Sequence, residues 1–194
     1  MARATWFCVD IECSGPVPAL YDMLSLGVVA VKERQDGQFT LGDPYYLELR
    51  PTGAGVDSGA MAVNGLDLEH LRANGLRMPE ALSALSAFVE RELMDGTTPV
   101  FVGHNAPFDW SFVSYAFASC GMINPFGYKA LDTKALATGV LGLHWLDSNK
   151  EELAERLPLP DVETEKVHRA DYDAWYQAHI LVQLLKRGRS CVDS

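Results

Sequence analysis

An apolar run, Trp6-Phe7-Cys8-Val9, passes directly into Asp10-Ile11-Glu12. The run reads as a buried β-strand over residues 5–12. Residues i and i+2 of a strand share a face. Asp10 and Glu12 therefore project two carboxylates side by side at the end of a core strand. Close carboxylates repel one another and desolvate poorly, so the pair needs something positive nearby. A divalent metal is the simplest partner. An N-cap acid beside a solvated one is the other reading, and the stretch alone does not choose between them.

The rest of the chain supplies the context. Residues 23–31 read as a second strand. Asp36-Gly37 is a hairpin signal, and a third strand follows over 39–49. Three strands with short connections suggest an antiparallel meander. Residues 51–59 hold four glycines or prolines and read as a loop. Helices are expected over 67–73 and 78–93, the second with clear helical periodicity. A short strand over 99–103 leads through a loop into a helix from Asp109 to Cys120. A strand over 128–131, helices over 134–138 and 149–156, and a last helix over 170–187 complete the order. In that last helix Ala174, Ala178, Leu181 and Leu185 share one face. The pattern is α/β: a mixed five-stranded sheet, meander first and parallel strands after, flanked by helices.

At 194 residues this reads as one domain over 1–194, with 48% hydrophobic and 22% charged residues. No apolar run approaches the length of a membrane span, and the first apolar segment carries acids, unlike a signal peptide. Cys8, Cys13, Cys120 and Cys191 show no metal-binding spacing and read as free thiols of a cytoplasmic protein. The net charge of −10 is the wrong sign for gripping a long duplex. It leaves room for an enzyme whose metals supply the positive charge, working on a short or single-stranded end.

Further acids fall where ligands gather, at the carboxyl ends of strands in an open sheet. Asp109 follows the strand over 99–103, although by itself it reads as a helix-start acid. Five helical residues turn about 500°, so His168 and Asp173 do not share a face if both are helical. His168 therefore belongs on the loop before the last helix, and Asp173 in its first turns. Asp171 reads as a helix cap.

These stretches together resemble a known family. Val9-Asp10-Ile11-Glu12 with Ser14-Gly15 looks like the first motif of the DEDD 3′→5′ exonucleases. His104-Asn105-Ala106-Pro107-Phe108-Asp109 looks like the second, and His168 through Asp173 like the third in its histidine form. Val63-Asn64-Gly65-Leu66 and Leu131-Asp132-Thr133 are similar to weaker family features. The resemblance spans about residues 5–187, in the family's order, and is nearest the RNase T, oligoribonuclease and polymerase-proofreading groups. The loop from Ser14 to Asp22 is longer than in many members.

The resemblance implies a ribonuclease H-like fold and a metal-dependent 3′→5′ exonuclease acting on single-stranded RNA or DNA ends. It implies two divalent ions, Mg²⁺ or Mn²⁺, which suit hard carboxylate oxygens. Asp10, Glu12, Asp109 and Asp173 would hold them: Asp10 shared by both, Glu12 and Asp173 beside the attacking water, Asp109 on the second. His168 would be the general base. Implied substrate contacts are Cys13, Ser14 and Gly15 at the 3′-terminal sugar, with Met23, Leu66 and Phe108 against bases and His104 and Asn105 near phosphate. Lys129, Lys134 and Arg169 are the basic residues nearest the motifs in sequence. Many relatives pair, which makes a homodimer an expectation. A two-metal hydrolase of short oligonucleotides or dinucleotides is the alternative, and a non-catalytic nucleic-acid-binding module on the same fold a third.

Overall fold

The computed structural model describes residues 3–53 and 55–190, and the Trp6–Val9 run lies inside strand β1 (Ala4–Cys13). Strand β2 (Met23–Glu33) pairs antiparallel with β1 on one side, and β5 (Thr98–Gly103) pairs parallel with it on the other. Short strand β6 (Ala130–Asp132) runs parallel to β5. Buried strands on both sides are what the apolar run requires.

The single third strand expected over 39–49 is two. β3 (Phe39–Leu41) and β4 (Tyr45–Glu48) both pair with β2, making six strands instead of five. Their registers differ by one residue, since Leu41 faces Val31 but Tyr45 faces Val28. That extra residue is a bulge, and it falls at Gly42-Asp43-Pro44, where proline has no N–H for the ladder.

Three helices precede β5: α1 (Ser58–Asn64), α2 (Leu68–Asn74) and α3 (Met78–Glu92). α4 (Pro107–Ser119), α5 (Thr133–Leu141), α6 (Lys150–Arg156) and α7 (Ala170–Ser190) follow it. α1 lies partly in the segment expected to be a loop. It buries no residue, so its composition carried no amphipathic pattern; Asp57 caps it through the Ala60 amide.

The two faces of β1 are sorted by the two-residue period. Phe7, Val9, Ile11 and Cys13 enter one core with Phe88 of α3 and Phe112 and Phe117 of α4. Cys8 faces the other way, onto Ala174, Ala178 and Leu181 of α7, with Val29 and Val102 beside it. Asp10 and Glu12 share the parity of Cys8 and so emerge on the α7 side. Ile180 and Leu184 of α7 turn away from the sheet and pack with Ala137 of α5 and Leu153 of α6. Cys8 and Cys13 are buried free thiols and Cys120 is free and half-buried; Cys191 lies outside the described residues. No helix is long and apolar enough to cross a membrane among the described residues.

Candidate active site

Asp10 pairs with Gly27 across the β1–β2 ladder, and Glu12 with Ser25. A β-carbon at Gly27 would sit 2.1 Å from the Ala170 carbonyl oxygen and 2.4 Å from the Asp171 amide nitrogen. The first turn of α7 thus rests its backbone on bare sheet. This close approach brings Asp173, buried and one turn further on, beside the two strand carboxylates. The Asp173 Oδ2 accepts a hydrogen bond from the His168 amide at 2.7 Å. His168 itself is exposed, on the loop before α7, with a positive φ of 65°. The ligand atoms of Glu12, His168 and Asp173 lie within 4.8 Å of one another.

Asp109 arrives from the opposite direction. β5 stops pairing with β1 at Cys8–Val102, so the amide of Ile11 has no partner from β5. The Asp109 Oδ1, in the first turn of α4, accepts that amide at 3.1 Å. The loop before α4 is held by Asp132. Its Oδ1 accepts from the amides of Asn105 (2.8 Å), Ala106 (3.3 Å) and Lys134 (3.1 Å), bracing the loop and capping α5 with one oxygen. Asn105 has a φ of 66°, a conformation asparagine tolerates better than most residues. The His104 Nδ1 lies 3.0 Å from the Thr133 hydroxyl, while its buried Nε2 has no protein partner.

One cavity of about 250 Å³ collects these groups: Asp10, Glu12, His104, Asn105, Phe108, Asp109, His168 and Asp173 all line it. Cys13, Ser14, Gly15, Met23 and Leu66 do not. Ser14 is buried, donating to the Gly55 carbonyl and accepting from the Asp22 amide, and so pins the loop after β1. A β-carbon on Gly15 would strike the ring of Tyr21. The Cys13 carbonyl takes the side-chain amide of Asn64, whose oxygen accepts from Leu66. Met23 is buried and lines a separate cavity with Phe112 and Tyr115. These five lie outside the acidic cavity and are held by contacts within the protein.

The cation in the cavity is a residue the sequence did not single out. The Lys150 ammonium, at the start of α6, is 2.5 Å from the Asp173 Oδ1 and 3.8 Å from the Asp10 Oδ1. The basic residues nearest the motifs in sequence lie elsewhere. Lys129 sits over Tyr128, Lys134 over Trp145, and Arg169 pairs with Asp171.

Even with Lys150 present, negative charge is costly here. Burial pushes Asp10 up to about 7, with Lys150 pulling down and Asp173 pushing further up. Burial, then the charges of Asp10 and Asp173, push Glu12 up to about 8. Asp109 is held well above the carboxylate range by burial and by Asp10, against the pull of the Ile11 amide. His104 is lowered to about 4, first by burial and then by Lys150, and stays neutral. Clustered carboxylates that resist ionisation mark a site short of positive charge, and their hard oxygens fit divalent cations such as Mg²⁺ or Mn²⁺.

The RNase T family model, described as an exonuclease, matches residues 7–181, which contain every one of these residues. The chain belongs to the RNase T exonuclease family. The 3′-5′ DNA exonuclease Cap18 of Escherichia coli is 36% identical over 172 residues, covering 89% of this chain and 87% of that protein. Ribonuclease T of Yersinia enterocolitica is 28% identical over 184 residues, covering 92% and 83%. Among solved structures, the nuclease domain of 3′hExo, a DEDDh family member bound to rAMP, superposes with a TM-score of 0.76 at 12% identity, over 96% of this chain and 94% of that one. The zinc-bound E. coli ExoI–ssDNA complex gives 0.73 at 17% identity, over 98% of this chain and 42% of that one. These structural likenesses establish the ribonuclease H-like fold. As a member of the RNase T family, the protein is an exonuclease of the 3′→5′ class.

Proposed function

We propose that this protein removes nucleotides one at a time from the 3′ end of single-stranded nucleic acid, using two divalent ions, Mg²⁺ or Mn²⁺. The observation that carries the reading is the convergence of Asp10, Glu12, Asp109, His168 and Asp173, from widely separated segments, on one cavity. Asp10, Glu12, Asp109 and Asp173 would hold the ions. Bound there, divalent cations supply positive charge for the attacking and leaving oxygens of an in-line displacement.

The chain's own residues do the rest. β1 fixes Asp10 and Glu12 rigidly, because the strand beneath them is paired on both sides. His168 accepts the proton of the attacking water; it is exposed and on a loop, so it reaches a seated substrate from solvent. The Thr133 hydroxyl donates to the Gly103 carbonyl, so the His104 Nδ1 carries the proton of the neutral ring and its unpartnered Nε2 is an acceptor, suited to a water at the cavity wall. Phe108, half-buried and packed on Phe112, presents an aromatic edge to the terminal nucleotide.

Greater identity to a DNA exonuclease than to Ribonuclease T favours DNA as the substrate. The acidic charge of −10 favours a short contact at the strand end over an extended groove, which also suits short oligonucleotides. The test is a length series of single-stranded DNA and RNA with free or phosphorylated 3′ ends. Stepwise shortening of free 3′ ends, with DNA preferred, supports the reading. Release of internal fragments, or cleavage indifferent to the 3′ end, opposes it. Activity confined to dinucleotides would favour the short-substrate alternative.

A further inference from the structure

The acidic cavity contains its own cation. Lys150 opens α6, where Asn149 caps the helix through the Glu152 amide and Leu153, fully buried, anchors it. That anchoring directs the Lys150 side chain, three-quarters buried, at the carboxylates of a strand and of another helix. Its contacts are the Oδ1 atoms of Asp10 and Asp173. Both residues are ligands in the metal site proposed above.

We propose that Lys150 is a built-in counter-ion of this site, occupying the seat between Asp10 and Asp173 and displaced when divalent ions bind. The inference rests on the metal-site reading. A divalent ion takes carboxylate oxygens at about 2.0–2.1 Å. An ammonium 2.5 Å from one of those oxygens occupies a lone pair that an ion would take, and beside an ion on the other lone pair it would stand only about 4 Å away, where like charges in a buried site repel strongly. Lysine suits an exchange of this kind. Its point charge sits on a flexible four-carbon stem, which rotates away without unravelling α6. The consequence is a trade. Without metal, Lys150 holds together carboxylates from β1 and α7 that would otherwise repel. With metal, the cost of breaking that ion pair is subtracted from the affinity, so the site is weaker than its four carboxylates imply.

The test compares wild type with Lys150→Met, which keeps the apolar stem, and Lys150→Arg, which keeps the charge. Mn²⁺ binding is followed by calorimetry, and thermal unfolding is recorded with and without Mn²⁺. Lys150→Met is expected to bind Mn²⁺ roughly tenfold more tightly and to melt several degrees lower without metal. Lys150→Arg should stay close to wild type in both. Equal or weaker Mn²⁺ binding by Lys150→Met overturns the inference while leaving the metal site standing. If Lys150→Met fails to fold without metal, restoration of its fold by Mn²⁺ supports the inference, and failure to restore it overturns it. Absence of Mn²⁺ binding in all three proteins contradicts the metal site itself, and this inference with it.

Discussion

Gly27 and Ala170 meet where no side chain fits: the helix backbone occupies the place of the missing β-carbon, and through it α7 is seated on the sheet directly beside Asp10. Asp173 is three residues further along the same helix, and His168 two residues before Ala170. The geometry of the acidic cavity therefore depends on a glycine that carries no chemistry.

Gly27→Ala should separate folding from activity. The methyl group has to push the first turn of α7 away, at an overpacking cost of about 1–3 kcal/mol. A displacement near 1 Å of Asp173 and His168 costs on the order of 100-fold in rate. The expected result is a folded protein by circular dichroism, melting several degrees lower, with nuclease activity down by roughly two orders of magnitude. Wild-type activity in Gly27→Ala would show that the close approach is not needed.

The raised carboxylates make the metal-free protein less stable as pH rises. Asp10 and Glu12 keep their protons in the folded state to about 7 and about 8, whereas the unfolded chain releases them near 4. Between those limits the folded state binds more protons, so its stability falls with rising pH. Thermal unfolding in chelator should show a falling melting temperature from about pH 5 to about pH 8. Saturating Mn²⁺ should flatten the slope, because metal binding favours the ionised carboxylates. Mn²⁺ affinity should accordingly rise across the same range, with protons released on binding.

His168 distinguishes a base from a ligand. Its ring lies in one cluster with Glu12 and Asp173, a geometry compatible with either part. As the general base, His168→Ala should lower kcat by about 10²–10⁴-fold and leave Mn²⁺ affinity within a few-fold of wild type. A parallel loss of Mn²⁺ binding would make it a metal ligand instead.

Asp132 holds the loop that carries the second motif. Asp132→Ala removes the acceptor shared by the amides of Asn105, Ala106 and Lys134. The expected cost is about 1–2 kcal/mol of stability from the lost cap and the exposed amides. Activity should fall more than the shift in melting temperature explains, because that loop leads directly into the first turn of α4, which carries Asp109. Activity and stability at wild-type levels would show that the loop holds itself.

Much of this arrangement is legible in the sequence because it follows from short-range rules. The two-residue period put Asp10 and Glu12 on one face, and the structure adds only which helix that face meets. The angular step of a helix placed His168 outside α7 and Asp173 inside it, as the structure has them. What escaped is long-range or patternless. The strand pattern over 23–31 does not mark Gly27 as the place where α7 comes to rest. Nothing local marks Lys150 or tells that Leu153 will anchor its seven-residue helix against α7. α1 buries nothing and so has no periodicity to detect. The break between β3 and β4 rests on one extra residue beside Pro44, which strand propensity smooths over.

The most direct measurement is a time course on a 5′-labelled single-stranded DNA oligomer, comparing wild type and Asp10→Ala with Mg²⁺, Mn²⁺ or chelator. The account predicts a ladder shortening from the 3′ end by wild type with either ion, and none with chelator or with Asp10→Ala under any condition. Equal shortening by Asp10→Ala, or undiminished wild-type activity in chelator, would contradict it.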